Sequence, residues 1–438
     1  MLKKIVICFI CVFMILNLSG CDFLTAETQE LIFPPQLSGE MYPISQIIEK
    51  SAAGDYKMKY PARGNYRSAV IMEDINSDGI LEAFAFYSVS ESDVIYMNIN
   101  AICKKDGKWQ SSAVQKIVAG GVDKVEFCDL DGDGVKEILV GWQIYGTSEM
   151  QLSVYSLSDN ALTQRIFQKY THFTVCDLDD NNENEVLVVK TGSAEIKNTA
   201  SLYALDSKGI IEISSCELDN AIKTVGEPIV SSLSNGKPAV YIDEIKGVGS
   251  VTEVLFLEKG VLVNPLLDSE IGENTATLRS VLFTTKDING DGVPEIPVQI
   301  DVPSVTRSDL NEKLYLTNWC SFNGETLTSQ MTAMINTNDS YYFAISSKLQ
   351  GNIAILKDTE NRSREIFSYN SVDMTIGDSL IDFRAVNKKD WDSGKYKNLS
   401  AKEIVSDGET AYICKISDTA KNQGITIEHI RENFYLYK

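Results

Sequence analysis

A nine-residue acidic pattern recurs along this chain and constrains its fold more than any other feature. The copies, here called the first to fourth loops, read DINSDGILE at 74–82, DLDGDGVKE at 129–137, DLDDNNENE at 177–185 and DINGDGVPE at 287–295. Each ends in glutamate and precedes a short apolar run: AFAFY, ILVGW, VLVVK and IPVQI in turn. A unit that returns along a chain indicates a repeat architecture, in which stacked neighbours supply the core that one unit cannot bury alone.

The spacing of the loops predicts a further, degenerate copy. The start positions 74, 129, 177 and 287 differ by 55, 48 and 110 residues, and 110 is twice 55. A copy is therefore expected near residue 232, where SLSNGKPAVY keeps the glycine and the apolar run but has lost the carboxylates. We expect this degenerate copy to bind no ion.

The segments between loops predict a mainly β protein built as a β-propeller. After the second loop the chain reads as four short strands, EILVGWQ, QLSVYSLS, ALTQRIFQ and HFTVCDL, and four strands per repeat are typical of a propeller blade. Only three strands follow the fourth loop, so we expect the strand at 68–73 to complete that blade and close a ring. Five blades are favoured, and six or seven fit if a poorly patterned segment hides another copy. Pro297 cannot donate to a ladder, so its strand is expected at a sheet edge.

The loops resemble those of a known family. Their form, D-x-[DN]-x-D-G-x-x-[DE] before VLV-type strands, is similar to the FG-GAP or VCBS-type repeats of integrin α-subunit propellers and of many bacterial surface proteins. The resemblance covers about residues 60 to 335. It departs from the family in the poorly preserved FG and GAP portions, in Asn181 and Asn182 of the third loop, and in a low blade count. The resemblance implies that the loops bind structural calcium.

The residue types in the loops agree with calcium. Hard divalent cations take roughly six to eight oxygen ligands, which side chains at places 1, 3 and 5, a carbonyl at place 7 and a carboxylate at place 9 would supply. The candidate ligands, loop by loop, are Asp74, Asn76, Asp78 and Glu82; Asp129, Asp131, Asp133 and Glu137; Asp177, Asp179, Asn181 and Glu185; and Asp287, Asn289, Asp291 and Glu295. An EF-hand is rejected, because its glutamate stands at place 12 between helices. The alternative is that the loops are acidic turns without metal.

Place 6 of each loop predicts a local backbone conformation. It is glycine in three loops and Asn182 in the third. Glycine, and after it asparagine, tolerates the positive φ that turns the chain inward.

The start of the chain predicts export and a lipid anchor. Lys3 and Lys4 precede an apolar run at 5–16, too short to span a bilayer, and LSGC ending at Cys21 resembles a bacterial lipobox. Cleavage before Cys21 would leave a lipidated cysteine that places the protein at the extracytoplasmic face of the membrane. The alternative is an ordinary secretory signal with an incidental cysteine.

These features divide the chain into four parts. We expect a lipoprotein signal peptide at 1–20, a lipidated cysteine, tether and short helical segment at 21–60, the propeller at 61–337 and a small α+β domain at 338–438. The last part resembles the tails of lipoproteins from Gram-positive, Clostridium-like bacteria. Its end is expected to be a helix capped by Thr426, with Ile427, Ile430 and Phe434 on one face.

Charge and the scarcity of reactive residues limit the function. The chain has 61 Asp and Glu against 40 Lys and Arg and no basic run, which argues against a nucleic-acid partner. The six cysteines after Cys21 show no CxxC spacing, and Cys128 and Cys176, at equivalent places before adjacent loops, are expected to stay unpaired. His172 and His429 are the only histidines, without an evident catalytic partner, so we assign no catalytic residue.

The sequence therefore favours a binding or scaffold module for an unknown protein or glycan ligand at the cell surface. Exposed aromatic residues are candidates for ligand contact, with core packing as the alternative for each: Trp109, Trp142, Tyr145, Trp319 and Trp391. The other function considered is a cell-envelope enzyme acting on polysaccharide or peptidoglycan, because two carboxylates suffice for glycoside hydrolysis.

Overall fold

The computed structural model describes residues 39–91, 94–158, 161–192, 196–206, 209–280, 283–303, 314–347 and 349–436. The signal peptide and the lipidated Cys21 lie outside these residues, so both stay predictions. Within the described part of the chain, no helix is both long and apolar enough to cross a membrane.

Strands dominate the described chain and form six antiparallel sheets. The first sheet contains β1 (Tyr56–Met58), β2 (Val70–Glu73), β3 (Glu82–Glu91), β4 (Val94–Lys105) and β5 (Lys108–Val118). The second contains β6 (Gly121–Cys128), β7 (Glu137–Gln143), β8 (Met150–Ser158) and β9 (Ala161–Tyr170), and the third β10 (His172–Cys176), β11 (Glu185–Lys190), β12 (Thr199–Asp206) and β13 (Gly209–Glu217). The fourth contains β14 (Thr224–Val225), β15 (Ile229–Ser232), β16 (Pro238–Lys246), β17 (Gly249–Glu258) and β18 (Val261–Val263).

The fifth and sixth sheets share the C-terminal part of the chain. The fifth contains β19 (Ile296–Val302), β20 (Leu314–Phe322), β21 (Leu327–Asn336), β22 (Tyr341–Ala344) and β28 (Phe434–Leu436). The sixth contains β23 (Ile353–Asp358), β24 (Ser363–Asn370), β25 (Thr375–Asn387), β26 (Lys402–Ser406) and β27 (Thr410–Ile416). The helices are α1 (Met41–Ala52), α2 (Lys388–Asp392), α3 (Asp418–Asn422) and α4 (Ile427–Glu432), with a 3-10 turn at Lys397–Leu399.

Each acidic loop connects two paired strands of one sheet. The first three loops join β2 to β3, β6 to β7 and β10 to β11, and the residues at their ends pair directly, as Glu73 does with Glu82. The degenerate copy joins β15 to β16 in the same way, with Ser232 opposite Pro238. In the fifth sheet the strand before the fourth loop is reduced to a bridge between Lys286 and Glu295. The predicted grouping of EILVGWQ, QLSVYSLS, ALTQRIFQ and HFTVCDL into one blade is therefore wrong, because the last of these strands pairs in the third sheet.

The predicted pairing of the strand at 68–73 with the strands after the fourth loop is also wrong. β2 pairs with β3 and not with the strands after the fourth loop, and the fifth sheet is completed by β22 and β28. The physical reason is loop entropy: pairing across a nine-residue loop brings together ends that are close in sequence, whereas closure would have to join ends more than 200 residues apart. The fifth sheet consequently continues past residue 337.

The five repeat sheets stack face to face in chain order. β7 shows how, because Ile138, Val140 and Trp142 pack toward the first sheet while Leu139 packs toward the third. The same alternation connects the third, fourth and fifth sheets through β11 and β16. Each aliphatic side chain buried in this way contributes about 1.5–3 kcal/mol. The mainly β fold, with five consecutive blade-like sheets as expected of a β-propeller, is thus confirmed.

Other elements cover the two ends of the stack. Ile44, Ile48 and Ala52, spaced four residues apart, form the buried stripe of α1 and pack on the outer face of the first sheet. At the other end the fifth sheet shares a core with the sixth. Among the described residues, no core cluster joins the first sheet to the fifth.

The C-terminal region is the small α+β unit that was predicted, with one difference at its end. Thr426 caps α4 by accepting a hydrogen bond from the His429 amide, and Ile427 and Ile430 are buried as expected. The helix ends at Glu432, however, and Phe434 belongs to β28, where its ring stacks on Tyr341 at 4.7 Å. A place in the strand buries Phe434 in the core shared by the fifth and sixth sheets.

Pro297 confirms the prediction made from its chemistry. It lies in β19, which is the edge strand of the fifth sheet as the described residues show it. Only one side of β19 needs ladder donors, so a residue without an amide proton is accommodated there.

Candidate metal loops and a basic cleft

The four acidic loops share one hydrogen-bonding scheme. The aspartate at place 1 accepts from the amide at place 6, as in Gly134 N to Asp129 Oδ2 at 2.9 Å. The same bond measures 2.9 Å in the first and third loops and 2.8 Å in the fourth. The side chain at place 5 accepts from the amide at place 7, as Asp133 does from Val135 at 2.7 Å. Short polar side chains that bond to nearby backbone amides form such turns from local sequence alone.

The backbone of the loops takes the predicted positive φ at place 6. The angles are 83° at Gly79, 87° at Gly134, 67° at Asn182 and 87° at Gly292. Place 4 adopts the same conformation, which the sequence analysis missed: Ser77, Gly132, Asp180 and Gly290. The available signal was the small or polar residue at that place in every loop.

The glutamate at place 9 is buried in every loop. The exposed fractions are 6% for Glu82, 3% for Glu137, 3% for Glu185 and 0% for Glu295. Each accepts a hydrogen bond from the amide at place 2, at 2.9–3.2 Å. Burial raises the pKa of all four carboxyls, and the neighbouring aspartates raise it further, for Glu185 to about 7.

Carboxylates converge in two of the loops. Asp129, Asp131 and Glu137 bring oxygens within 4.8 Å of one another, and the equivalent residues of the third loop do the same. In the first and fourth loops Asn76 and Asn289 take place 3 and donate to the aspartate at place 5, at 3.1 and 3.0 Å. Because all these ligand atoms are oxygens, the loops fit calcium. The identity of the ion remains a prediction.

The first three loops lie side by side along one edge of the stacked sheets. The Lys136 amide donates to the Ile75 carbonyl of the first loop at 2.7 Å, and Lys136 Nζ pairs with Glu73 at 2.6 Å. Asn184 of the third loop donates to the Asp129 carbonyl at 3.4 Å. A cation that orders one loop would therefore also order its contact with the next sheet.

The cysteines are unpaired, as expected for Cys128 and Cys176. None of the six cysteines in the described residues forms a disulfide. Burial raises the pKa of the Cys128 thiol to about 12, with help from the Asp129 charge. Such thiols behave as small apolar side chains.

A charged network joins four sheets and was missed by the sequence analysis. Arg63, from the segment before β2, pairs with Asp123 of β6 at 2.6 Å and approaches His172 of β10 at 3.0 Å. His172 Nδ1 lies 3.2 Å from Glu227, which also pairs with the buried Lys124 at 2.6 Å. The network shows that the first strands of the sheets converge at one end, and it gives His172 a structural role.

A cleft with a positive lining opens beside this network. Its volume is about 1160 Å³. The charged or ionisable lining residues are Arg63, Glu149, Lys169, His172, Lys190, Lys197 and Lys223. We call this the basic cleft. It was not predicted, because its cations are dispersed along more than 150 residues and only the stacking of the sheets brings them together.

The aromatic candidates divide by burial. Trp142 and Trp319 are buried in the core, and Trp109 and Trp391 are half-buried. Tyr145 is 54% exposed, which keeps it available for ligand contact.

Comparison with known proteins shows only distant similarity. No protein-family model and no curated protein matches the chain. Among solved structures, the exotype rhamnogalacturonan lyase YesX is 10% identical with a TM-score of 0.31, covering 82% of this chain and 90% of that one. The Bacillus licheniformis rhamnogalacturonan lyase PL11 is 13% identical with a TM-score of 0.32, covering 74% and 76%. Rhamnogalacturonan lyase YesW is 11% identical with a TM-score of 0.30, covering 86% and 96%. At these TM-scores the similarity assigns neither a function nor a site to this chain.

Proposed function

We propose that this protein is a lipid-anchored, calcium-stabilised β-propeller that acts as a binding or scaffold module at the cell surface. The observation that carries the proposal is the buried glutamate at place 9 of each loop, held beside further carboxylates. A buried carboxylate surrounded by like charge is unfavourable unless a proton or a cation compensates it. Calcium supplies that compensation at neutral pH and is bound by oxygen ligands of this kind.

The expected contribution of calcium is modest per site and considerable in sum. Extracellular calcium modules bind at about 10⁻⁴ to 10⁻³ M, so at millimolar calcium each site adds about 1 kcal/mol to the free energy of unfolding. Domains have a total free energy of unfolding of about 5–15 kcal/mol, so four sites would supply a large part of that stability.

The proposed location rests on the sequence, and the proposed binding role on the surface. The lipobox-like LSGC would attach Cys21 to the membrane, and the segment 22–60 would begin as a polar tether. A binding role is supported by the basic cleft, because it is open to solvent and lined by cations from several sheets.

The test uses the anchor-free protein, residues 22–438. We expect its melting temperature to fall in EDTA and to recover with calcium but not with sodium at equal ionic strength. An equal melting temperature with EDTA and with calcium would overturn the calcium assignment. Stoichiometric retention of a cell-envelope fraction, measured together with new reducing ends, separates binding from turnover: product formation without retention would favour the enzyme function.

A further inference from the structure

The basic cleft concentrates positive charge in a strongly acidic protein. The formal net charge of the chain is −21, yet the described residues that line the cleft include five Lys and Arg and one carboxylate, Glu149. The cations come from different parts of the chain: Arg63 between β1 and β2, Lys169 in β9, and the rest between the start of β11 and the start of β14. Such a local reversal of sign against the average charge attracts anions to this one surface.

Two of the cations in the cleft have no anionic partner among the described residues. Lys190 ends β11 and Lys223 directly precedes β14, and neither has a carboxylate within ion-pair distance among the described residues. Two more, Lys169 and Lys197, pair with Glu149 at 2.7 Å and with Glu217 at 2.6 Å on the exposed rim. Exposed pairs of this type are worth about 1 kcal/mol or less, so an anionic ligand can compete for both lysines.

The inner end of the cleft is preorganised. Asp123 holds Arg63 through two hydrogen bonds, of 2.8 and 2.6 Å, and also accepts from the buried Tyr170 hydroxyl. Thr171 and Thr191 present hydroxyl groups that bond to each other at 2.9 Å. A fixed guanidinium beside hydroxyl groups can recognise an anionic group together with the hydroxyls of a sugar.

We propose that the basic cleft binds an acidic glycan, a polymer in which anionic groups and sugar hydroxyls alternate. The proposal rests on the proposed function as a binding module and names its ligand class. The volume of about 1160 Å³ exceeds that of a pocket for a single small molecule, roughly 300–1,000 Å³, and the cleft is open, so several residues of a polymer fit. Nucleic acid is disfavoured, because Tyr170 is the one Phe, Tyr or Trp among the described lining residues and it is buried, so it offers no exposed ring on which bases can stack.

The anionic group can be a carboxylate or a phosphodiester, and the experiment distinguishes them. The anchor-free protein in about 1 mM calcium is titrated with polygalacturonate, with poly(glycerol phosphate), with neutral dextran and with single-stranded DNA. We expect binding to at least one of the two acidic polymers, none to dextran, and a steep loss between about 50 and 500 mM salt. Failure of both acidic polymers to bind, or tighter binding of DNA than of either, would overturn the proposal.

Matched variants locate the binding. Lys190→Glu combined with Lys223→Glu is expected to weaken binding of the acidic polymer by about tenfold or more. The control, Lys105→Glu combined with Lys108→Glu on the exposed β4–β5 hairpin, changes the net charge equally and is expected to bind within about twofold of wild type. Equal losses of affinity in both double variants would show that net charge alone governs binding, and would overturn a specific site in the cleft.

The outcome is separable from that of the proposed function. Melting temperatures of both double variants, measured with calcium and with EDTA, report folding and calcium stabilisation independently of polymer binding. Binding of the acidic polymer together with an identical melting temperature in EDTA would support the binding site in the cleft and overturn the calcium assignment. A calcium-dependent melting temperature without any polymer binding would support the calcium assignment and overturn the binding site.

Discussion

Two buried glutamates in the fourth sheet carry the most unfavourable charge in the described part of the chain. Glu244 in β16 and Glu253 in β17 lie diagonally on the face that packs toward the third sheet, next to Val251 and Leu255. Both side chains are almost fully buried, and both oxygens of Glu244 have no hydrogen-bond donor among the described residues. Burial raises the pKa of both carboxyls, and for Glu244 the charge of Glu253 raises it further. We therefore expect the pair to hold one proton at neutral pH.

The first prediction concerns Glu244→Gln. A carboxyl whose folded-state pKa lies above its unfolded value of about 4.3 gives the native state more bound protons, so stability falls as pH rises above that value. Glutamine cannot ionise, so the variant should be more stable than wild type at pH 7 by about 1–3 kcal/mol. The gain should disappear as pH falls through about 4.3, as measured by thermal melts in EDTA.

The exposed Glu325→Gln is the control and should leave stability unchanged across the same range. A Glu244→Gln variant that is less stable than wild type at pH 7 would refute the shared proton.

Residue roles within a loop were predictable, whereas those between sheets were not. Places 1, 5, 6 and 9 of the loops follow from spacing, because each contact closes within nine residues of sequence. The ion pair between Lys124 and Glu227 joins residues 103 apart, and Lys190 and Lys223 meet in the cleft only through stacking. No local pattern encodes such pairs, so they could not be inferred before the sheet order was known.

At the scale of elements, the loop conformation depends on the residue at place 6. Gly134 has φ 87°, and a Cβ there would meet no atom within 4 Å, so the strain from a side chain would be conformational and not steric contact with neighbours. The third loop keeps the same turn with Asn182 at φ 67°. Asparagine is therefore accepted at place 6 of one loop, so alanine and asparagine can be compared as replacements for Gly134.

The second prediction follows from that gradation. Gly134→Ala should destabilise the protein by about 1–2 kcal/mol, and Gly134→Asn by clearly less, because asparagine visits the left-handed region more readily. Calorimetry in saturating calcium measures both. Gly120→Ala, at a glycine without positive φ and with ordinary contacts of 3.7–3.8 Å, should be close to neutral. An alanine at place 6 that is as well tolerated as asparagine would contradict this view of the turn.

The third prediction uses the degenerate copy as an internal control. Removing calcium should increase amide exchange in the four acidic loops, where carboxylates would repel one another, as Asp129, Asp131 and Glu137 do in the second loop. The turn between β15 and β16 should be unaffected, since its amides are bonded by Asn235 and backbone carbonyls. Hydrogen exchange followed by mass spectrometry resolves these peptides. Uniform protection with and without calcium in all five turns would count against metal binding.

Element identity was easier to predict than element partners. The strands flanking each loop, the edge strand containing Pro297 and the helix that packs on the first sheet were all expected from patterns of apolar residues and from the chemistry of proline. The pairing of β28 with β22 was not, because Phe434 also fits the apolar face of a helix. Tertiary burial beside Tyr341 decides between the two conformations.

At the scale of the whole molecule, the repeat sheets form a stack that is capped at both ends. Five sheets were predicted from the loop period, but closure depended on which distant strands pair, and the period carries no information on that. The apolar cores of the repeat sheets form between neighbours, so the outer faces of the first and fifth sheets need covering elements. Helix α1 has that role for the first sheet, with Ile44 and Ile48 fully or almost fully buried.

The fourth prediction tests the capped stack directly. Ile48→Glu places a charge between α1 and the apolar face formed by Ala83, Ala85 and Tyr87. The loss of burial together with an unpaired charge should cost about 3 kcal/mol or more, detach the helix and expose that face. An uncovered sheet face promotes association, so we expect a lower melting temperature together with concentration-dependent dimers or larger species in analytical ultracentrifugation. Gln46→Glu, on the exposed side of the same helix, introduces the same charge and should remain monomeric and nearly as stable as wild type. If the Ile48→Glu protein stayed monomeric with an unchanged melting temperature, α1 would be a peripheral attachment and the first sheet would have to be covered by another part of the chain, as in a closed ring.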